Sequence, residues 1–580
     1  MASLKTLLPY LKKYRFTILI GLFTLSISSG MEKLVPWFTK QAIDSIAIDD
    51  NRSALLFYVL LIVITSVVRG GVLFYSRSLL RGSTQKIDFE LRNRLYNHTQ
   101  KLSASYFSRM RTGDIMARAT NDLNAVRNLN QQGLREFSNA IFSIALGLIL
   151  MLAMNVDLTL IVLIPLPLIS LVGALTGRVI HARSEQVQEN FGKLTSTVQE
   201  SLNGIRVIRA HVQEAHEIEA FRKLNEEYLR SNMRLVKARG ALNQTLMLLS
   251  GLSSVLIIWF GGKQVLQGEI TLGTLVAFNQ YMMQLVIPMR GLGAMINLFS
   301  MGAAAMRRIN QVFDEVPEIR DDEQTLPIQD IEGEIEFRHL TFAYSPRSSL
   351  ILKDINLKIE KGMTLAIVGP LGAGKSTLLN LIPRLYNPEE GQLFIDGVDI
   401  RRIPLKLLRG SIGYVPQETF LFSDTVRENI GYGKEKIEEP ELIEAATISQ
   451  ILESILDFPM GFDTVLGERG VTLSGGQKQR TSISRAITLK PKILLLDDCF
   501  SSVDTNTEEE ILKRLREVMK GRTSIIVSHR ISTVKDADLI LVLDDGRIVE
   551  QGTHETLLSM QGLYFRIFLK QQLAQQLEKV

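Results

Sequence analysis

The sequence predicts two folds in series: an α-helical membrane domain of six spans, then an α/β domain built on a buried parallel sheet. Three observations predict this. Up to about residue 300, runs of roughly 20 mainly apolar residues recur, long enough to cross a bilayer as helices. Beyond about residue 320 charged residues return every few positions, as on a water-facing surface. Short apolar runs ending in Gly, Asp or His then alternate with helical stretches, the pattern of a parallel sheet with crossovers. With 580 residues, the chain is also too long for a single core.

The apolar runs place spans at about 16–37, 55–76, 134–154, 157–178, 242–262 and 275–298. Short connections, Asp44 to Arg52, Asn155 to Asp157 and Gln267 to Thr271, join them in pairs and read as outer loops. The segments at about 77–133 and 179–241 are long, rich in Lys, Arg, Glu and Gln and nearly free of proline, so they read as helical arms leaving the membrane and returning. Lys12, Lys13, Arg15, Arg77, Arg81, Arg178 and Arg183 flank those arms, which puts the arms, both termini and the α/β domain on the cytoplasmic side. The net charge of +5 follows this distribution and fits anionic headgroups better than nucleic acid. A single cysteine, Cys499, excludes an internal disulfide and any cysteine-rich metal site. The first residues form a basic amphipathic stretch with no cleavage site, so no cleaved signal peptide is expected.

Charges inside a bilayer are costly and face a cavity or a partner, which marks Glu32, Lys33, Arg69 and Arg290 as substrate-pathway candidates, with Glu32 and Lys33 placed near the outer edge. Met282, Met283, Met289 and Met295, near Phe278 and Phe299, form a stripe that lines an adaptable apolar cavity or packs helix against helix.

The chemistry sits in the second half. The strand-like run Thr364 to Val368 leads into Gly369, Pro370, Leu371, Gly372, Ala373, Gly374, Lys375, Ser376 and Thr377, followed by a helical run. This is G-x-x-x-x-G-K-S in its strand, loop, helix setting. Glycines let the backbone wrap an anion, N–H groups and the helix start supply positive potential, Lys375 neutralises phosphate charge, and Ser376 offers a hydroxyl to Mg²⁺. Ile493 to Asp497 is four apolar residues ending in a carboxylate, a buried strand delivering Asp497 to the metal. A second buried strand, Ser524 to Ser528, ends in His529, a candidate for γ-phosphate contact. Ser474, Gly475, Gly476 and Gln477 open a helix and form a second anion cradle. One nucleotide cannot use both cradles of one chain, so two such domains are expected to face each other.

The order of these motifs resembles that of ABC transporter ATPase domains, and the six spans before them resemble an ABC exporter of the multidrug and lipid type. The resemblance implies the type I exporter fold, ATP and Mg²⁺ as ligands, and a second half-exporter as partner. It implies that Tyr344 stacks on adenine, that Gln417 senses the metal, completing a set with Ser376 and Asp497, and that Ser474 to Gln477 act in trans as the signature. Gly467 to Gly470 resemble the exporter X-loop and Ser501 to Asp504 the D-loop. Thr112 to Asp122 and Glu200 to Arg206 resemble the coupling-helix regions at the tips of the arms. The domain boundaries so implied are 1–318 for the membrane domain, 319–333 for a linker, 334–571 for the ATPase domain and 572–580 for a tail.

One position departs from the family pattern. Where its catalytic form has Glu after the strand carboxylate, this chain has Asp498. The charge is kept with one methylene less reach, so binding survives while turnover falls. With an intact signature beside a shortened carboxylate, the expectation is a heterodimer: ATP-driven efflux of a hydrophobic or amphipathic drug, lipid or peptide across the cell membrane, with a slow site here and a fast site completed in the partner. A homodimer with two slow sites and an ATP-gated channel or regulatory subunit are the alternatives.

Overall fold

The computed structural model describes residues 2–47, 52–345, 348–467 and 473–578. Two compact units emerge: Met1–Gln100 with Thr112–Glu315, and Lys101–Arg111 with Val316–Val580.

The first unit is helical throughout. Its long helices are α1 (Arg15–Ala47), α2 (Arg52–Thr99), α3 (Leu134–Met154), α4 (Pro165–Asn203), α5 (Glu214–Leu256) and α6 (Leu272–Phe313). All six expected spans fall on helix. Four helical stretches, Arg15–Ile46, Ser53–Thr99, Thr112–Met154 and Glu214–Leu266, are long and apolar enough to cross a membrane among the described residues. The fourth expected span breaks into Val156–Leu163 and α4, because Pro165 can begin a helix but cannot continue one. Asn155 starts the first piece, its side chain accepting from the Leu158 N–H at 2.8 Å.

Glu32 and Lys33 lie well inside a helix, because α1 runs on through residues expected to be loop. At roughly 1.5 Å per residue, Lys33 lies about 21 Å before the end of that helix. It is fully buried and donates to Gln284 Oε1 of α6 at 2.9 Å, while the Tyr281 hydroxyl donates to the Lys33 carbonyl at 2.7 Å. Glu32 pairs with Arg69 of α2 at 2.6 Å. These three charges therefore make helix-to-helix contacts within the chain, the use that competes with a place on the substrate pathway. Pro36 and Pro288 interrupt α1 and α6, each removing the N–H that would meet the carbonyl four residues earlier, at Glu32 and Gln284. Met282, Met295 and Phe278 are buried within the unit, so that part of the stripe is packing, with Met283 and Phe299 outward. The side chains of Met289 and Arg290 lie outside the described residues.

The tip of the first arm also differs from expectation. The short helix Ala104–Arg109, with Tyr106 buried, belongs to the second unit, where Ser105 donates to Glu318 Oε2 at 2.6 Å and Arg109 lies 3.5 Å from Glu318 Oε1. Thr112 to Asp122 stays with the membrane unit, and Asp122 accepts from Arg308 of α6 at 2.9 and 2.5 Å.

The second unit holds two sheets. Strands β1 (Ile335–Phe342), β2 (Leu352–Ile359), β4 (Leu393–Ile395) and β5 (Val398–Asp399) form an antiparallel sheet in the order β2-β1-β4-β5. Strands β3 (Thr364–Val368), β6 (Ile412–Val415), β7 (Ile493–Asp497), β8 (Thr523–Val527), β9 (Leu539–Asp544) and β10 (Arg547–Gly552) form the other, ordered β10-β9-β3-β8-β7-β6, parallel except for β10. Both β7 and β8 are buried along their whole length, as continuous apolar runs in a covered parallel sheet must be. The stretch expected as a linker, 319–333, is sewn onto this unit: Asp396 accepts the N–H groups of Glu332, Gly333 and Glu334 at 2.7, 3.0 and 2.8 Å. Its last helix, Leu563–Glu578, continues through the expected boundary at 571.

Near the end of α1, Asp44 accepts from the Gly273 N–H at 2.9 Å and the Thr271 hydroxyl at 2.8 Å, supporting the N-terminus of α6. Asp44→Ala is expected to destabilise the protein by about 1 kcal/mol and lower the melting temperature of the purified transporter, whereas Asp44→Asn, which keeps an acceptor, retains most of it. Equal melting temperatures for all three proteins would remove this role.

Candidate functional site

The parallel register determines where the chemistry gathers. Ile367 of β3 pairs with Val527 of β8, Val527 with Asp497 of β7, and Leu496 beside it is flanked by Val415 of β6. The C-terminal ends of four neighbouring strands therefore come out side by side, and each carries a residue marked from sequence. β3 runs into the glycine loop, β8 into His529, β7 into Asp497 and Asp498, and β6 into Gln417 two residues on. Ligands of open α/β sheets bind at such strand ends.

Together they line one cavity of about 270 Å³, bordered by Tyr344, the loop from Leu371 to Thr377, Gln417, Asp497, Asp498 and His529. Gly369 precedes this wall, where a Cβ would meet the Leu543 carbonyl oxygen at 2.0 Å, so only glycine lets the loop leave β3 in this direction. The Lys375 ammonium donates to the carbonyls of Gly369 at 2.9 Å and Pro370 at 2.8 Å, folding back over its own loop. Ser376 donates to Asp497 Oδ1 at 3.1 Å. The Tyr344 hydroxyl shares a 2.9 Å hydrogen bond with Thr377, and its ring meets Tyr386 edge-on at 4.9 Å.

Burial lowers the Lys375 pKa, opposed by Asp498 and Asp497, and burial raises the Asp497 pKa, opposed by the Ser376 hydroxyl. A lysine penalised for its charge gains from an anion, and a carboxylate penalised for its charge gains from a cation. This donor set fits a magnesium-bound polyphosphate: loop and Lys375 for the phosphates, Ser376, Asp497 and Gln417 for the metal.

Asp498 has a left-handed backbone, φ +46°, with its N–H donating to the Val527 carbonyl at 2.9 Å. Among side chains other than glycine, Asp and Asn accept that conformation best, since the short polar group bonds locally. The shortened carboxylate therefore occupies the position with little backbone cost.

Ser474 to Gln477 do not line this cavity. They start the helix Gly475–Thr488 with a capping box in which Gln477 N–H donates to Ser474 Oγ at 3.2 Å and Ser474 N–H to Gln477 Oε1 at 2.9 Å. The expected D-loop leans on them: a Cβ on Gly476 would meet the Ser502 carbonyl oxygen at 2.9 Å, and Gln479 bonds Ser501 and Ser502 at 2.8 and 2.9 Å. Of the expected X-loop, Gly467 is described and Glu468 to Gly470 lie outside the described residues. Sequence reasoning missed Ile351 and Tyr386, an apolar and an aromatic residue that carry no motif and reach the cavity or its tyrosine through the fold.

The ABC transporter transmembrane region family matches residues 18–289, and the ABC transporter family, its ATPase part, matches residues 352–501. The chain belongs to the ABC transporter family. An ATP-dependent lipid A-core flippase of Syntrophus aciditrophicus (strain SB) is 36% identical to this transporter over 98% of the chain and 94% of the relative. A probable multidrug resistance ABC transporter ATP-binding/permease protein, YheI, of Bacillus subtilis (strain 168) is 38% identical over 98% of each. Among solved structures, a bacterial Atm1-family ABC exporter with ATP bound superimposes with a TM-score of 0.79 at 27% identity, covering 98% of this chain and 99% of the other. The transporter is thus an integral membrane exporter fused to its ATPase, it binds ATP with Mg²⁺, and its hydrolysis drives export. ABC exporters act as dimers in the bilayer, in keeping with a signature that stands away from its own chain's cavity.

Replacing Lys375 with Ala removes a charged donor from a buried phosphate site, a loss of about 1.5–3 kcal/mol, so affinity for a fluorescent ATP analogue is expected to fall roughly 10- to 100-fold. His529→Ala, outside the loop, should leave that affinity within about threefold. Equal affinity for Lys375→Ala and the native transporter would contradict the loop's assignment.

Proposed function

We propose that this chain is one subunit of a heterodimeric exporter, holding ATP at a slow site of its own and completing a fast site in its partner. Asp498 carries the reading. Beside the metal-facing Asp497 it supplies the carboxylate that positions the attacking water, and it reaches one methylene less far than Glu. A displacement of about 1 Å in a positioned group can cost on the order of 10²-fold in rate. The phosphate and metal ligands are complete, which supports holding ATP while turning it over slowly.

The remaining roles follow from the strand ends. Lys375 and the loop N–H groups hold phosphate; Ser376, Gln417 and Asp497 hold the metal; His529 contacts the γ-phosphate; Tyr344 stacks on the base. Ser474 to Gln477 face the partner's nucleotide, their helix already capped and so presenting its N–H groups in fixed directions. Two bound nucleotides favour the closed ATPase pair over the open one, and that difference in affinity drives the membrane helices from inward- to outward-facing.

The ATPase unit and both termini lie in the cytoplasm, and the membrane is the cell or inner membrane. The substrate is a hydrophobic or amphipathic molecule from the cytoplasm or inner leaflet, in line with the flippase and multidrug names of the relatives. A homodimer with two slow sites is the second reading, favoured by the retention of Lys375, Gln417 and His529.

Measured alone, the purified chain should hydrolyse ATP slowly, Asp498→Glu should raise its turnover on the order of 10²-fold, and a partner bearing Glu should raise it without that change. Brisk turnover alone, unaltered by Asp498→Glu, would sink the proposal.

A further inference from the structure

His529 must project into the cavity, and its backbone belongs to no regular element. β8 ends at Val527, and the next helix starts at Ile531. Within that gap Arg530 N–H donates to the Ser528 hydroxyl at 3.0 Å, but the carbonyl of His529 and the N–H of Ile531 have no strand or helix partner. Buried backbone groups in that position need a partner from elsewhere. One side chain supplies both: Gln571 Nε2 donates to the His529 carbonyl, and Gln571 Oε1 accepts from the Ile531 N–H at 2.9 Å. A primary amide presents a donor and an acceptor side by side, as a neighbouring β-strand would. Gln571 thus continues the ladder past the end of β8 for one more step.

The helix that carries this amide, Leu563–Glu578, is itself anchored. Tyr564 is fully buried and its hydroxyl bonds His554 Nδ1 at 2.7 Å. Tyr564 shares one apolar cluster with Ile531 and Val534 and with Ala366 and Val368 of β3, the strand that feeds the phosphate loop. Across the loop stands a second grip. The buried Glu508, on the helix Thr505–Met519, pairs with Arg530 and accepts from the Thr533 hydroxyl at 2.5 Å. The segment around His529 is therefore held from two sides, and among the described residues only Gln571 bonds the His529 carbonyl.

We infer that Gln571 is a positioning residue for ATP hydrolysis: by holding the His529 carbonyl and the Ile531 N–H on either side of Arg530 it fixes the backbone from which the imidazole enters the cavity, which makes the C-terminal helix a working part of the ATP site. The inference rests on His529 acting at the γ-phosphate, as proposed above. Gln571 does not itself line the cavity and reaches it only through the His529 carbonyl, so its loss should act on turnover rather than on ATP affinity.

The test is a double-mutant cycle on the full transporter in lipid nanodiscs, in the Asp498→Glu background where this chain's site turns over. Gln571→Ala, and the isosteric Gln571→Glu, whose carboxylate is repelled by the His529 carbonyl, are expected to lower kcat about tenfold with KM for ATP within about twofold. His529→Ala combined with Gln571→Ala should be no slower than His529→Ala alone, because residues acting as a unit are not additive. Leu573→Ala, an exposed position on the same helix, should match the background. Native kcat for both Gln571 variants, a change confined to KM, or additive losses in the double mutant would each overturn the inference. If Asp498→Glu fails to raise turnover, the slow-site proposal falls, and the cycle is read instead on the residual turnover of the native chain.

Discussion

Register between parallel strands is the constraint on which the site depends. Each strand of the sheet is short, and a one-residue slip would turn its side chains to the opposite face. The pairing of Ile367 with Val527, and of Val527 with Asp497, fixes where the glycine loop, His529 and the two carboxylates begin relative to one another. Burial of β7 and β8 along their length makes that register costly to change. The catalytic arrangement is thus set by hydrophobic packing in the strands before any polar contact forms. The polar contacts then trim it: Lys375 folds over its own loop, Ser376 steers Asp497, and Gln571 holds the peptide of His529.

The electrostatics explain why such a site responds to its ligand. Lys375 and Asp497 are both buried, and burial pushes each toward its neutral form. A ligand that brings negative phosphate and a divalent cation together relieves both penalties at once, so its binding energy includes a term that water cannot match. Asp498 contributes charge to that arrangement without the full reach of Glu. The same features that favour holding ATP do not by themselves favour cleaving it.

Much of this was legible in the sequence because the chemistry lies at strand ends. An apolar run followed by Gly, Asp or His announces both the strand and the residue it delivers, so the phosphate loop, Asp497 and His529 could be placed without coordinates. Features that depend on contacts distant in sequence could not. Gln571 bonds a peptide 42 positions away and lies among several other glutamines near the C-terminus. That Lys33 lies well inside a helix follows from α1 running on through Asp44, whose acidic, loop-like sequence conceals that it holds the start of α6. The linker looked free for a similar reason, since the carboxylate that holds it, Asp396, lies in a turn between two strands of the small sheet. The distinctive Thr-Gly-Asp draws attention to the first arm's later stretch, while the plainer Ser-Ala-Ser-Tyr-Phe stretch two helical turns before it carries the helix that belongs to the ATPase unit.

The central claim is the division of labour between the two nucleotide sites. Photolabelling tests it most directly. The transporter is assembled with a Glu-bearing half-exporter, supplied with a photoreactive radiolabelled ATP during steady turnover, then irradiated, and the nucleotide on each chain is identified. The account predicts that this chain carries intact triphosphate, exchanging slowly, while the partner carries mainly diphosphate. Diphosphate in equal proportion on both chains, exchanging at the same rate, would contradict it.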